Sequence, residues 1–180
     1  SFLSNRLRLQ IEEEIKNNLN KYGEYLEDSI LSVHMIKIED KYYCMDFSCE
    51  EFEKIVNLLG SVESVYNIYY ETLIKAINSN LGKYKPKRIG HLNLVRKYNK
   101  KFPYDYSNNK KLKELVKLIS DRGYELDYNI AGLFKEDCGE TYISGYLAEL
   151  IKQYNIKLVL GSDSHSAKYI DKYEEFNEHI

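Results

Sequence analysis

Apolar residues recur near helical spacing from Leu9 to Leu26, at Leu9, Ile11, Ile15, Leu19 and Tyr22, and Gly23 supplies a stop. A short apolar run from Asp28 closes on His34 and reads as a strand with a polar tip. Residues 35–46 are mixed and aromatic, which predicts a short irregular excursion. Ser48 followed three residues later by Glu51 fits a capping box and opens a helical region. That region runs to about Ser79 with a break at Gly60-Ser61, and Tyr69, Tyr70, Leu73 and Ile77 share one face. A turn from Gly82 to Pro86 leads to a second strand-like run, Pro86 to His91.

Asn93 to Lys101 can be a helical turn or a loop. Tyr106 to Arg122 gives the clearest helix, with a stripe of Leu112, Leu115, Val116, Leu118 and Ile119 and a stop at Gly123. Tyr124 to Ile130 alternates as a strand does, Ala131 to Thr141 is a loop, and Tyr142 to Tyr154 is a helix. The next strand starts at Ile156, with four apolar residues in five, and stops at Gly161. Tyr169 to His179 reads as a terminal helix. Strands alternating with helices predict an α/β fold in one domain spanning residues 1–180, its parallel sheet either open or barrel-shaped.

The 180 residues suit a single domain with a substantial core. A net charge of -2 without a basic block argues against nucleic acid as a partner, because phosphate neutralisation needs clustered cations. No apolar run approaches the roughly 20 residues that cross a bilayer, so no membrane association is expected. Three cysteines, Cys44, Cys49 and Cys138, lack a metal-type spacing and fit free thiols in a cytoplasmic protein.

The chemistry gathers at strand ends. Of four histidines, His34, His91 and His165 each close or follow a predicted strand, and Asp163 lies two residues before His165. Catalytic groups of parallel α/β folds collect at the carboxyl ends of strands. A carboxylate and an imidazole two residues apart suit a divalent metal such as Zn, Mn or Fe. Asp163 within Ser-Asp-Ser suits a helix cap equally well. Arg96 and Lys97 follow His91 at a distance suited to gripping a phosphate, or are solvated helix charges.

Four motifs occur in order: Ser32-Val-His34; Ile89-Gly-His91 continuing to Arg96-Lys97-Tyr98; Asn129-Ile-Ala-Gly-Leu133 with Gly139-Glu-Thr-Tyr142; and Gly161-Ser-Asp-Ser-His165. The series resembles the histidinol-phosphatase branch of the polymerase and histidinol phosphatase (PHP) superfamily, from about Ile11 to Ile170. The resemblance implies a distorted seven-stranded (β/α) barrel with up to three divalent ions (Zn, Mn or Fe) at the carboxyl ends of its strands. It implies hydrolysis of L-histidinol phosphate, a small-molecule phosphate ester, in histidine biosynthesis. His34 and His91 match two ligands of one ion, Asp163 a ligand of a neighbouring ion, and His165 a ligand of the third. Lys135 stands where related sequences carry an arginine and would contact substrate as a point charge.

The chain departs from the family in lacking a His-x-His strand and a bridging Glu ahead of His34. It therefore reads as the C-terminal two-thirds of such a barrel, with exposed sheet edges that invite self-association. The alternatives are a PHP phosphoesterase acting on another ester, and a non-catalytic PHP-like fragment or binding module.

Overall fold

A computed structural model of the chain describes residues 2–161, with side chains described from Glu12 onward. Asp163, His165 and the helix expected over Tyr169 to His179 lie outside the described residues.

Helix α1 spans Phe2–Tyr22, and Gly23 opens a single turn of 3-10 helix beneath the Tyr84 ring, where a Cβ would have no room. Strand β1 is only Ile30–Leu31. The segment expected to be irregular is a β-hairpin: β2 (Met35–Ile38) and β3 (Lys41–Cys44) pair antiparallel around Glu39-Asp40. Its turn carries neither Gly nor Asn, and Glu39 adopts φ +54° itself, so the usual hairpin signature is missing from the sequence. Ile36 points into the core while Met35 faces out.

Helices α2 (Cys49–Leu59) and α3 (Val62–Asn78) follow, separated at the expected break. Ser48 Oγ accepts the Glu51 N–H at 3.1 Å, Ser61 Oγ accepts that of Ser64, and Gly60 ends α2 in the left-handed region. Strand β4 is Arg88–Ile89, and α4 spans Lys110–Asp121. Helix α4 begins later than its pattern predicts because Asn109 Oδ1 caps it, accepting the Leu112 N–H at 2.9 Å. Strand β5 (Glu125–Asn129), helix α5 (Gly145–Gln153) and strand β6 (Leu158–Gly161) complete the described chain.

The four strands form one parallel sheet in the order β1-β4-β5-β6, each connection carrying at least one helix. Residues paired in register share a face. Leu31, Ile89 and Leu126 line up on one side and pack with Leu73, Leu112, Leu115, Val116 and Leu147 in a single core. Arg88, Glu125, Asp127 and Asn129 line up on the other, so that face is polar. Among the described residues β1 and β6 each pair on one side only, so the sheet is open rather than closed into a barrel. The cysteines are free, and no described helix is long and apolar enough to cross a membrane.

Leu112 is wholly buried, so Leu112→Ala should cost about 2–5 kcal/mol. Ser48→Ala removes one cap and should cost about 1 kcal/mol. Urea unfolding of both variants checks the order, which would reverse if α4 were peripheral to the core.

Candidate metal centre

His34 sits between β1 and β2, and the hairpin decides what faces it. The β2–β3 ladder runs from Ile38↔Lys41 to Met35↔Cys44, and the Met45 N–H donates to the His34 carbonyl at 3.1 Å. Asp46 therefore returns beside His34. Both of its carboxylate oxygens lie 3.2 Å from His34 Nδ1. The Cys44 thiol donates to Asp46 Oδ1 at 3.4 Å, and Tyr98 O–H and Lys97 Nζ both donate to the Asp46 carbonyl. Burial pushes the Asp46 carboxyl up, but His34, Cys44 and Lys97 together outweigh it and hold that carboxyl below the usual carboxylate range.

His91 follows β4 by two residues. Gly90 donates to the Leu31 carbonyl at 3.0 Å, and a Cβ there would press on Ile30 and Ser32, so glycine allows β1 and β4 to close together. His91 itself has φ +29°, an uncommon conformation for a residue with a side chain. Its N–H reaches Asp127 Oδ2 at 3.4 Å and its carbonyl accepts the Leu94 N–H at 2.9 Å. The His34 and His91 rings meet edge to face with centroids 4.7 Å apart, His34 half exposed and His91 buried.

Beneath them lies a buried carboxylate. Asp127 is 3% exposed, and its Oδ2 accepts the Asn129 side-chain amide at 2.9 Å. Its Oδ1 is buried without a hydrogen-bond partner among the described residues and occupies the space where a Cβ on Gly161 would lie. Asn129 caps the strand end: Oδ1 accepts the Ala131 N–H and its carbonyl accepts the Tyr142 N–H. The buried Tyr142 ring stands 6.2 Å from His91.

The cations fall in three places. Arg96 pairs through Nε with Glu140 and stacks 4.4 Å over the Tyr106 ring. Burial works against its charge, and Glu140 more than offsets this. Lys97 lies against Asp46, Nζ 3.9 Å from Oδ2, and so shares that carboxylate with His34. Lys135 is exposed on the loop after β5. A pocket of about 250 Å³ at the amino ends of the strands is lined by Asp28, Arg88 and Glu125, with Arg88 pairing to both carboxylates.

The donor chemistry fits a divalent ion in type. Two imidazoles sharing a tetrahedral zinc, with Zn–N near 2.0–2.1 Å, hold their nitrogens about 3.4 Å apart, which rings 4.7 Å apart can meet. Among the described residues no group of three or more His, Cys, Asp or Glu side chains is arranged to hold one ion, and His34 and His91 are the two imidazoles brought together. Sequence reasoning located both histidines and missed both carboxylates behind them. Asp46 fell in a segment without a clear pattern. Asp127 carried a signal, because a parallel strand covered on both faces is normally apolar throughout, and a carboxylate within it asks for a reason.

No family model matches the chain. It is 42% identical over 174 residues to the histidinol-phosphatase of Bacillus subtilis (strain 168), covering 94% of this chain and 64% of that protein. The crystal structure of a candidate histidinol phosphatase from Listeria monocytogenes superposes with a TM-score of 0.85 at 34% identity, again over 94% of this chain and 64% of the other. The chain therefore spans just under two thirds of the length of each. Over nearly its whole length, this chain is similar to these two proteins.

Proposed function

We propose that the chain is the greater part of a metal-dependent phosphomonoesterase that cleaves L-histidinol phosphate to histidinol and phosphate. One observation carries the reading: two imidazoles 4.7 Å apart at the carboxyl ends of adjacent parallel strands, in a chain 42% identical to a histidinol-phosphatase. In this reading His34 and His91 hold one ion, Asp163 a neighbouring one and His165 a third. Bound Zn, Mn or Fe would neutralise phosphate charge and make a water nucleophilic near neutral pH.

The chain's own residues do the rest. The buried face around His91, Tyr142 and Leu92 keeps bulk water from one side of the site. Lys97, held on Asp46, supplies a cation beside the histidines, and Lys135 carries positive charge on the exposed loop after β5, while the charge of Arg96 is met by Glu140. In the overall reaction water adds to phosphorus, the ester P–O bond breaks, and the alcohol leaves with a proton.

The pair of imidazoles favours a second reading, because stable sites use three or four protein ligands. In that reading the chain binds metal and turns over only when joined to further ligands. An incomplete barrel, and self-association through the edges of β1 and β6 that are unpaired among the described residues, belong to the same proposal. Release of phosphate from L-histidinol phosphate, before and after chelation, tests it. Turnover that is lost with chelator and restored by Mn or Zn is expected, whether from the chain alone or combined with the missing ligands. Turnover indifferent to chelation would overturn it.

A further inference from the structure

We infer that Asp46 is a positioning residue that fixes the His34 imidazole with its proton on Nδ1 and leaves Nε2 as the nitrogen offered to a divalent ion. The inference rests on the metal-site reading above and adds a residue that neither the sequence motifs nor the comparisons single out. The first support is placement. Asp46 is twelve residues from His34, and the ladder that ends with Met45 N–H on the His34 carbonyl sets it there. The hairpin thus acts as a clamp returning one carboxylate to one imidazole.

The second support is that Asp46 is anchored independently of His34. Lys97 and Tyr98 hold its backbone carbonyl, and the Cys44 thiol holds Oδ1. The Asp46 side chain is 19% exposed against 45% for His34, so the carboxylate is the more confined of the two groups.

The third support is chemical. An ionised carboxylate only accepts hydrogen bonds, so a nitrogen 3.2 Å from both its oxygens carries the proton. The other nitrogen of a neutral ring then keeps its lone pair for a metal. A carboxylate behind the ring also makes that nitrogen a more basic ligand.

The test has a readout that needs no metal. In the ¹⁵N-labelled, metal-free chain at neutral pH, long-range imidazole ¹H–¹⁵N correlations should show His34 protonated on Nδ1. Asp46→Ala should shift it toward the Nε2-protonated form. Zinc affinity, measured against a chromogenic chelator, should fall about 10–100-fold in Asp46→Ala. It should fall less in Asp46→Asn, whose amide oxygen still accepts, and more in His34→Ala. Asp46→Asn is nearly isosteric and keeps the test alive if the alanine variant fails to fold.

If His34→Ala abolishes binding while both Asp46 variants keep wild-type tautomer and affinity, the positioning role is wrong and the metal site stands. If His34→Ala leaves affinity unchanged, the metal-site reading falls and this inference with it.

Discussion

Exchanging His91 for asparagine is expected to weaken zinc or manganese binding by more than about 100-fold, because loss of a mere outer partner of a ligand already costs 10–100-fold. In the proposed site His91 is one of two neighbouring imidazoles, so its removal leaves a single ligand from this pair. Asparagine is the informative replacement because it tolerates the φ of +29° that most side chains resist. It also keeps the N–H that reaches Asp127 and the carbonyl that accepts from Leu94. The fold should therefore lose little. At roughly 1 kcal/mol of lost packing, the melting temperature should drop by about 2–4 °C. Calorimetric titration with zinc, paired with a thermal melt, separates the two effects. Affinity retained within a few-fold would mean that the ion is not held by His91.

Gly161→Ala should destabilise the chain through a different route. Its new Cβ would overlap the Asp127 carboxylate, which lies buried between β5 and β6 where Asn129 pairs with Gly161. Overpacking of this kind typically costs about 1–3 kcal/mol. Here the group forced aside also holds the Asn129 amide and lies against the His91 N–H, so the strand end beneath the histidines should loosen as well. Because the clash lies between two named residues, the pair can be isolated. In an Asp127→Ala background the same glycine change should cost about 1–3 kcal/mol less, since contacting residues couple on that scale. Urea unfolding of the two single variants and the double variant gives the coupling directly. Strict additivity would show that Gly161 is tolerant of a side chain and that Asp127 is not wedged against it.

Much of the frame is legible in the amino-acid pattern because local signals agree there. Ser48, Ser61 and Gly60 punctuate α2 and α3, and the apolar stripe of α4 packs as its spacing predicts. The strand runs that close on His34, His91 and Gly161 set all three beside a parallel sheet. The β2–β3 hairpin is not legible, since its turn residues, Glu39 and Asp40, give no turn signature and Glu39 takes a left-handed φ that sequence does not advertise. That omission hid Asp46, whose role depends on strand register alone. Arg96 shows a different limit. Its distance from His91 along the chain suits a phosphate contact, yet the fold commits its Nε to Glu140, 44 residues away, and its plane to Tyr106. Long-range pairings such as these are set by tertiary packing and leave no local trace.

Anomalous diffraction from crystals of the chain grown with zinc tests the central claim most directly. A peak at the zinc edge lying between the His34 and His91 rings, within about 2.0–2.1 Å of a nitrogen of each, is the predicted result. Zinc bound elsewhere, with no density between those two rings, would contradict it.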